Sequence, residues 1–217
     1  KVSGVKIREP QSIMSYALQT TMIINAARKE QSGEQTIPAL DYFLAPGVLK
    51  SFKKQFKEEV FSLLEFTEFN KFVATNGIER EIDRIETIDF DIKIFFQYLR
   101  DSKQLQRLLV EAYEKALKIT DKFTYQALEA FLHNVNILDN ETNRITTVSF
   151  GTDTSAEGRM VTKNLLKAFE NGIGDFIKTD LPYLIFKIKD GVNLLEEDKN
   201  YDLLLETYKL LEKGYKI

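Results

Sequence analysis

Ile145-Thr-Thr-Val-Ser-Phe-Gly-Thr-Asp-Thr-Ser-Ala-Glu-Gly-Arg-Met-Val161 decides the fold class of this 217-residue chain. Upstream of it, apolar residues recur every three or four positions. Between Ile145 and Phe150 they form a short β-branched and aromatic run, which predicts a buried strand ending at Gly151. Beyond the glycine, Thr154 and Glu157 stand at capping-box spacing ahead of Met160, Val161, Leu165, Leu166 and Phe169, and Asn171-Gly172 supplies a stop. A helix therefore follows the strand. A second strand is expected at Tyr183-Leu-Ile-Phe186 and a last helix over 203–211. Strand, helix, strand is the minimal crossover unit of a parallel sheet. The class is thus α/β, with residues 1–140 mostly helical and 141–217 in the order strand, helix, strand, helix.

Toward the N-terminus the helical period is plain. Ile13, Tyr16, Ala17, Ile23, Ile24 and Ala27 mark one helix between the boundaries Pro10 and Gly33. Gly33, Pro38, Pro46 and Gly47 break any period, so 31–47 is expected as a loop with a short structured piece at 39–44. Leu49, Phe52, Phe56, Val60 and Leu63 predict an amphipathic helix over 48–72, punctuated by Asn76-Gly77. Ile78, Ile82, Ile85, Ile92, Phe95 and Leu99 predict one or two more. Leu105, Leu108, Leu109, Ala112 and Ala116 mark the next, and Ala127, Leu128, Phe131, Leu132 and Val135 complete the helical run.

Composition narrows the function. The chain is 43% apolar, enough for one sizeable core, and is read as a single unit. Thirty basic and 33 acidic side chains leave a net charge of −3, so no broad cationic surface awaits a nucleic-acid polymer, although one local pocket suffices for a small nucleotide. No apolar run has the length of a membrane span and no signal peptide opens the chain, so no membrane association and a cytoplasmic location are expected. Cysteine is absent, which removes thiolate ligands, thiol nucleophiles and thiyl radicals together. A start at Lys1 without methionine reads as an excerpt of a longer product.

Gly151-Thr-Asp-Thr-Ser155 is the most suggestive local feature. At a strand's end and a helix's start, its amides and the hydroxyls of Thr152, Thr154 and Ser155 suit a phosphate, with Arg159 as the nearby cation. Asp153 and Glu157 put negative charge at the same place, and an ordinary helix cap explains the pattern equally well. Lys50, Lys53, Lys54 and Lys57 form a basic stripe that suits a triphosphate or, balanced by Glu58 and Glu59, a solvated face. Gly172 and Gly174 follow a helix instead of a strand, so they read as a C-cap. His133 lies four residues after Glu129, but no second histidine exists to share a metal. Glu196, Glu197 and Asp198 read as a solvated acidic loop.

Phe150-Gly-Thr-Asp-Thr-Ser-Ala-Glu-Gly-Arg-Met-Val161 resembles the signature segment of anaerobic (class III) ribonucleoside-triphosphate reductases. The similarity extends in order along nearly the whole chain: Pro10-Gln-Ser-Ile13, Gln35-Thr-Ile-Pro-Ala-Leu-Asp41 through Ala45-Pro46, Tyr125 to Asn136, Ile185-Phe-Lys-Ile-Lys-Asp-Gly-Val-Asn193 and Asn200-Tyr-Asp-Leu203.

The resemblance implies part of a ten-stranded glycyl-radical-enzyme α/β barrel, lying between its first cysteine strand and the finger loop that bears the thiyl cysteine. It implies that the glycyl radical and the zinc belong to parts of the family's proteins outside this segment, which would hold no cofactor of its own. It further implies a homodimer through the helix at 12–30, with a deoxynucleoside triphosphate effector bound nearby. Arg8 and Gln11 stand at the effector-contact positions, and Lys54 stands where a phosphate-directed lysine is expected. The family's His-Gly-Gly is Ser32-Gly33-Glu34 here. Two readings follow. One is a reductase segment that contributes interface and nucleotide-binding structure but not radical chemistry. The other is a free-standing, non-catalytic nucleotide-sensing or dimerisation paralogue. An unrelated helical interaction protein is a third class, which the ordered motifs disfavour.

Overall fold

A computed structural model describes residues 8–65, 75–99, 102–172 and 181–217. Among them the chain is mainly helical, with a three-stranded parallel sheet, and it clusters into two compact units: Lys1–Val48 with Phe123–Ile217, and Leu49–Lys122.

The first unit opens with helix α1, Ile13–Glu30. Ser12 caps it reciprocally: the Ser12 hydroxyl accepts from the Ser15 amide at 3.2 Å, and the Ser15 hydroxyl accepts from the Ser12 amide at 2.9 Å. Ile13, Ala17 and Ile24 are buried at helical spacing. Strand β1, Gln35–Ile37, follows, and helix α2, Leu40–Glu65, begins three residues later. β1 and the continuation of α2 beyond Leu44 correct the expectation of a loop over 31–47, while the start of α2 falls on the structured piece expected at 39–44. Three residues between a glycine and a proline are too few to display an alternating pattern. Pro46 does not stop α2 either. It lacks an amide, so the Tyr42 carbonyl loses its helical donor, but both residues are exposed and water can serve that carbonyl. Gly47 is a close-approach residue: a Cβ there would lie 2.8 Å from the Tyr16 ring and 3.0 Å from Ile13 Cα, so glycine lets α1 and α2 touch.

The second unit holds the later part of α2, helix α3 (Thr75–Arg84), a 3₁₀ helix (Ile92–Tyr98) and the first part of helix α4, Lys103–Thr142. Its core is aromatic: Phe52, Phe56, Phe90, Phe95 and Tyr113 meet mostly edge to face at centroid separations of 5.1–6.1 Å. Asn76-Gly77, expected to punctuate, lies inside α3. A helical glycine costs about 1 kcal/mol relative to alanine, and burial of Ile78 and Ile82 outweighs it. The part of the expected helix over 66–72 lies outside the described residues, as does Gly174.

The chain returns to the first unit along α4, one 40-residue helix covering both predicted apolar runs. Strand β2 (Thr146–Phe150), helix α5 (Ala156–Asn171), strand β3 (Tyr183–Phe186) and helix α6 (Tyr201–Glu212) follow. The sheet order is β1-β2-β3, all parallel, with Gln35 opposite Thr146 and Thr147 opposite Tyr183. Central β2 buries Thr146, Val148, Ser149 and Phe150, as expected of a strand covered on both faces. Gly172 ends α5 at φ 75°.

Candidate functional site

The turn after β2 is held by side chains from distant parts of the chain. Asp41, in the first turn of α2 and fully buried, accepts through one oxygen from the amides of Gly151, Thr152 and Asp153 at 2.9, 3.0 and 2.9 Å. The carbonyls of the same turn are also engaged. Asn193 donates to Gly151 at 2.9 Å, and Asn200 donates to Gly151 at 3.1 Å and Asp153 at 2.8 Å. The Tyr42 hydroxyl donates to Thr152 at 2.9 Å. Both asparagines are fully buried, where an unbonded amide costs about 1–3 kcal/mol.

The helix cap sits one residue beyond its expected place. Ser155, not Thr154, accepts from the Gly158 amide at 3.0 Å, and the Asp153 carboxylate accepts from the Ser155 amide at 2.8 Å. Asp153 fills the room in front of Gly158, where a Cβ would meet its carboxyl at 2.2 Å. Gly151 has φ 108° and lies so close to the Phe186 ring that a Cβ would come within 2.7 Å. Two glycines thus fix the turn, one by conformation and one by space.

Arg159 is committed within the chain. It donates to Asn200 Oδ1 and Asp202 Oδ2, each at 2.7 Å, and to the Lys199 carbonyl. Burial acts to raise the Asp202 carboxyl, but the hydrogen bond and charge of Arg159, with Lys163, outweigh it and hold the group below its ordinary value. The structure therefore brings Gly151, Thr152, Thr154, Ser155 and Arg159 together, with the three amides and the guanidinium already satisfied.

The other candidates are placed separately. Arg8 is exposed ahead of α1. Gln11 bonds locally, its side chain donating to the Glu9 carbonyl at 3.0 Å. Lys54 belongs to the second unit; its side chain is 69% exposed and 3.9 Å from Glu58. Its neighbours on the stripe tie α2 to α3, Lys57 through Asp83 at 2.8 Å and Lys53 through the Asp83 carbonyl at 2.7 Å. His133 is half-buried, and Glu129 accepts from Tyr125 at 2.9 Å. In the acidic loop, the Asp198 carboxylate accepts from the amides of Leu194 and Leu195. Among the described residues no group of three or more His, Cys, Asp or Glu side chains is arranged to hold a metal ion, and no helix is long and apolar enough to cross a membrane.

The stretches that converge on this turn are those of one sequence family. Residues 1–216 match the family described as anaerobic ribonucleoside-triphosphate reductase. The chain belongs to that family. It is 32% identical over 114 residues to the anaerobic ribonucleoside-triphosphate reductase of enterobacteria phage T4, covering 51% of this chain and 18% of the phage protein. The proteins of the same name from Haemophilus influenzae and Escherichia coli are each 26% identical over 206 residues, covering 94% of this chain and 23% of theirs. The chain thus spans about a fifth of the length of these reductases. Asp41, Asn193 and Asn200 were not among the candidates read from sequence. Each nevertheless stands in a stretch that carried the resemblance to reductases, and that was the available signal.

Proposed function

We propose that this chain is a segment of an anaerobic ribonucleoside-triphosphate reductase that contributes dimer-interface and nucleotide-binding structure while the radical chemistry resides elsewhere in the enzyme. The observation that carries the reading is a family match over residues 1–216 in a chain without cysteine. Thiyl chemistry and thiolate zinc binding both need cysteine sulfur, so the residues present fit neither group. The ten-stranded barrel belongs to the same proposal; three parallel strands are compatible with a portion of one.

The interface role is supported by α1. Met14, Leu18 and Met22 are 43%, 55% and 48% exposed and repeat every four residues, an apolar stripe flanking the buried face of Ile13, Ala17 and Ile24. A second copy of this helix suits that stripe. For the effector, a deoxynucleoside triphosphate, Arg8 and Gln11 at the approach to α1 are proposed contacts; the exposed Lys54 of the second unit is proposed, by itself, as a phosphate-directed lysine. On the substrate side, the turn from Gly151 through Ser155, backed by Arg159, offers the hydroxyls of Thr152 and Thr154, which its own hydrogen bonds leave unused.

Thermal melting with each of the four deoxynucleoside triphosphates tests this. At least one raises the melting temperature, because a ligand that binds the native state stabilises it by mass action, and Lys54→Ala weakens that effect. No shift with any of the four contradicts nucleotide binding. Ser32-Gly33-Glu34, which stands in place of the family's His-Gly-Gly, favours a second reading, a free-standing paralogue that binds nucleotides or dimerises without catalysis. A native polypeptide mass near 25.1 kDa in source cells selects it; a much larger mass selects the reductase segment.

A further inference from the structure

We infer that the turn Gly151–Asp153 is an oxyanion site already filled by the chain's own Asp41 carboxylate. Three successive amides converging on one oxygen at 2.9–3.0 Å form the kind of backbone nest that binds phosphate at strand-to-helix turns. Here the anion is covalently part of the protein and arrives from 110 residues away in sequence. Its second oxygen, Oδ1, is buried and has no hydrogen-bond partner, so the carboxylate's bonds are concentrated on the turn. An amide–carboxylate bond is about twice as strong as a neutral one, and Asp41 is fully buried, so an external phosphate competes for these amides against a tethered charge. The ligand class of the vacated site is a tetrahedral oxyanion, and the intact chain excludes it. This inference is independent of effector binding through Arg8, Gln11 and Lys54.

The test compares the full chain with Asp41→Ala in inorganic phosphate and in chloride at equal ionic strength, following melting temperature and the amide resonances of Gly151, Thr152 and Asp153. The wild type shows no phosphate-specific change at those amides. The variant melts lower, regains melting temperature in phosphate alone, and shows phosphate-dependent shifts at the three amides. Equal shifts in the wild type, or none in the variant, overturn the inference. If Asp41→Ala does not fold, Asp41→Asn keeps the volume and removes the charge. With the site still filled, phosphate has no effect, but the loss of the charge-assisted bonds accelerates amide exchange at 151–153 about tenfold, the equivalent of about 1.4 kcal/mol. Unchanged exchange, or protection that phosphate alters while the side chain fills the site, overturns the inference equally.

Discussion

Arg28 occupies a core-facing position of α1, 4% exposed, where an aliphatic residue would be unremarkable. Its guanidinium pairs with the fully buried side chain of Asp139 on α4 and donates to the Thr146 hydroxyl, while Asp139 accepts from the Thr146 amide at 2.9 Å. One ion pair thereby joins the end of α1, the end of α4 and the start of β2. Burial first, and the neighbouring charge of Arg144 second, lower the Arg28 pKa from its usual value. Removing one partner strands the other charge, so Asp139→Ala should cost about 3–5 kcal/mol in urea unfolding; a loss under about 1 kcal/mol would show the pair to be hydrated. None of this was legible in the sequence. Arg28 and Asp139 are 111 positions apart, and a charged residue on a helix reads as solvated until its partner is known. Asp41 escaped for the same reason, since its three acceptor bonds exist only once α2 and β2 are neighbours.

At the scale of elements, the long apolar periods were legible because helical burial repeats over several turns. The βαβ portion was legible because β2 is a compact β-branched run bounded by glycine. What was hidden was short or depended on contact. β1 has three residues, and its strand character comes from pairing with β2 and not from its composition. Pro46-Gly47 reads as a break, whereas tertiary packing makes the glycine a contact point between α1 and α2. The exposed face of α1 carries the sharpest element-scale expectation. Leu18→Glu should abolish self-association while leaving the melting temperature of the monomer nearly unchanged, because its side chain contributes little to the core. Sedimentation velocity of wild type and variant decides this; an unchanged association constant would move the interface away from this helix.

For the whole molecule, charge balance, the missing cysteines and the family match point the same way. Thirty basic and 33 acidic residues leave no broad cationic surface, no thiol is present, and the Haemophilus influenzae reductase is about four times as long as the stretch it shares with this chain. The two compact units were not legible from composition, which bounds the size of a core but not how the chain divides it. The Gly151–Ser155 turn was located from sequence, whereas its occupancy by Asp41 was not. Sedimentation equilibrium across a range of protein concentrations, with and without each deoxynucleoside triphosphate, tests the proposed interface and effector-binding roles of this segment. The expected result is a reversible dimer of twice 25.1 kDa, with the dimer fraction raised by at least one nucleotide. A mass of 25.1 kDa at every concentration and with every nucleotide would contradict it.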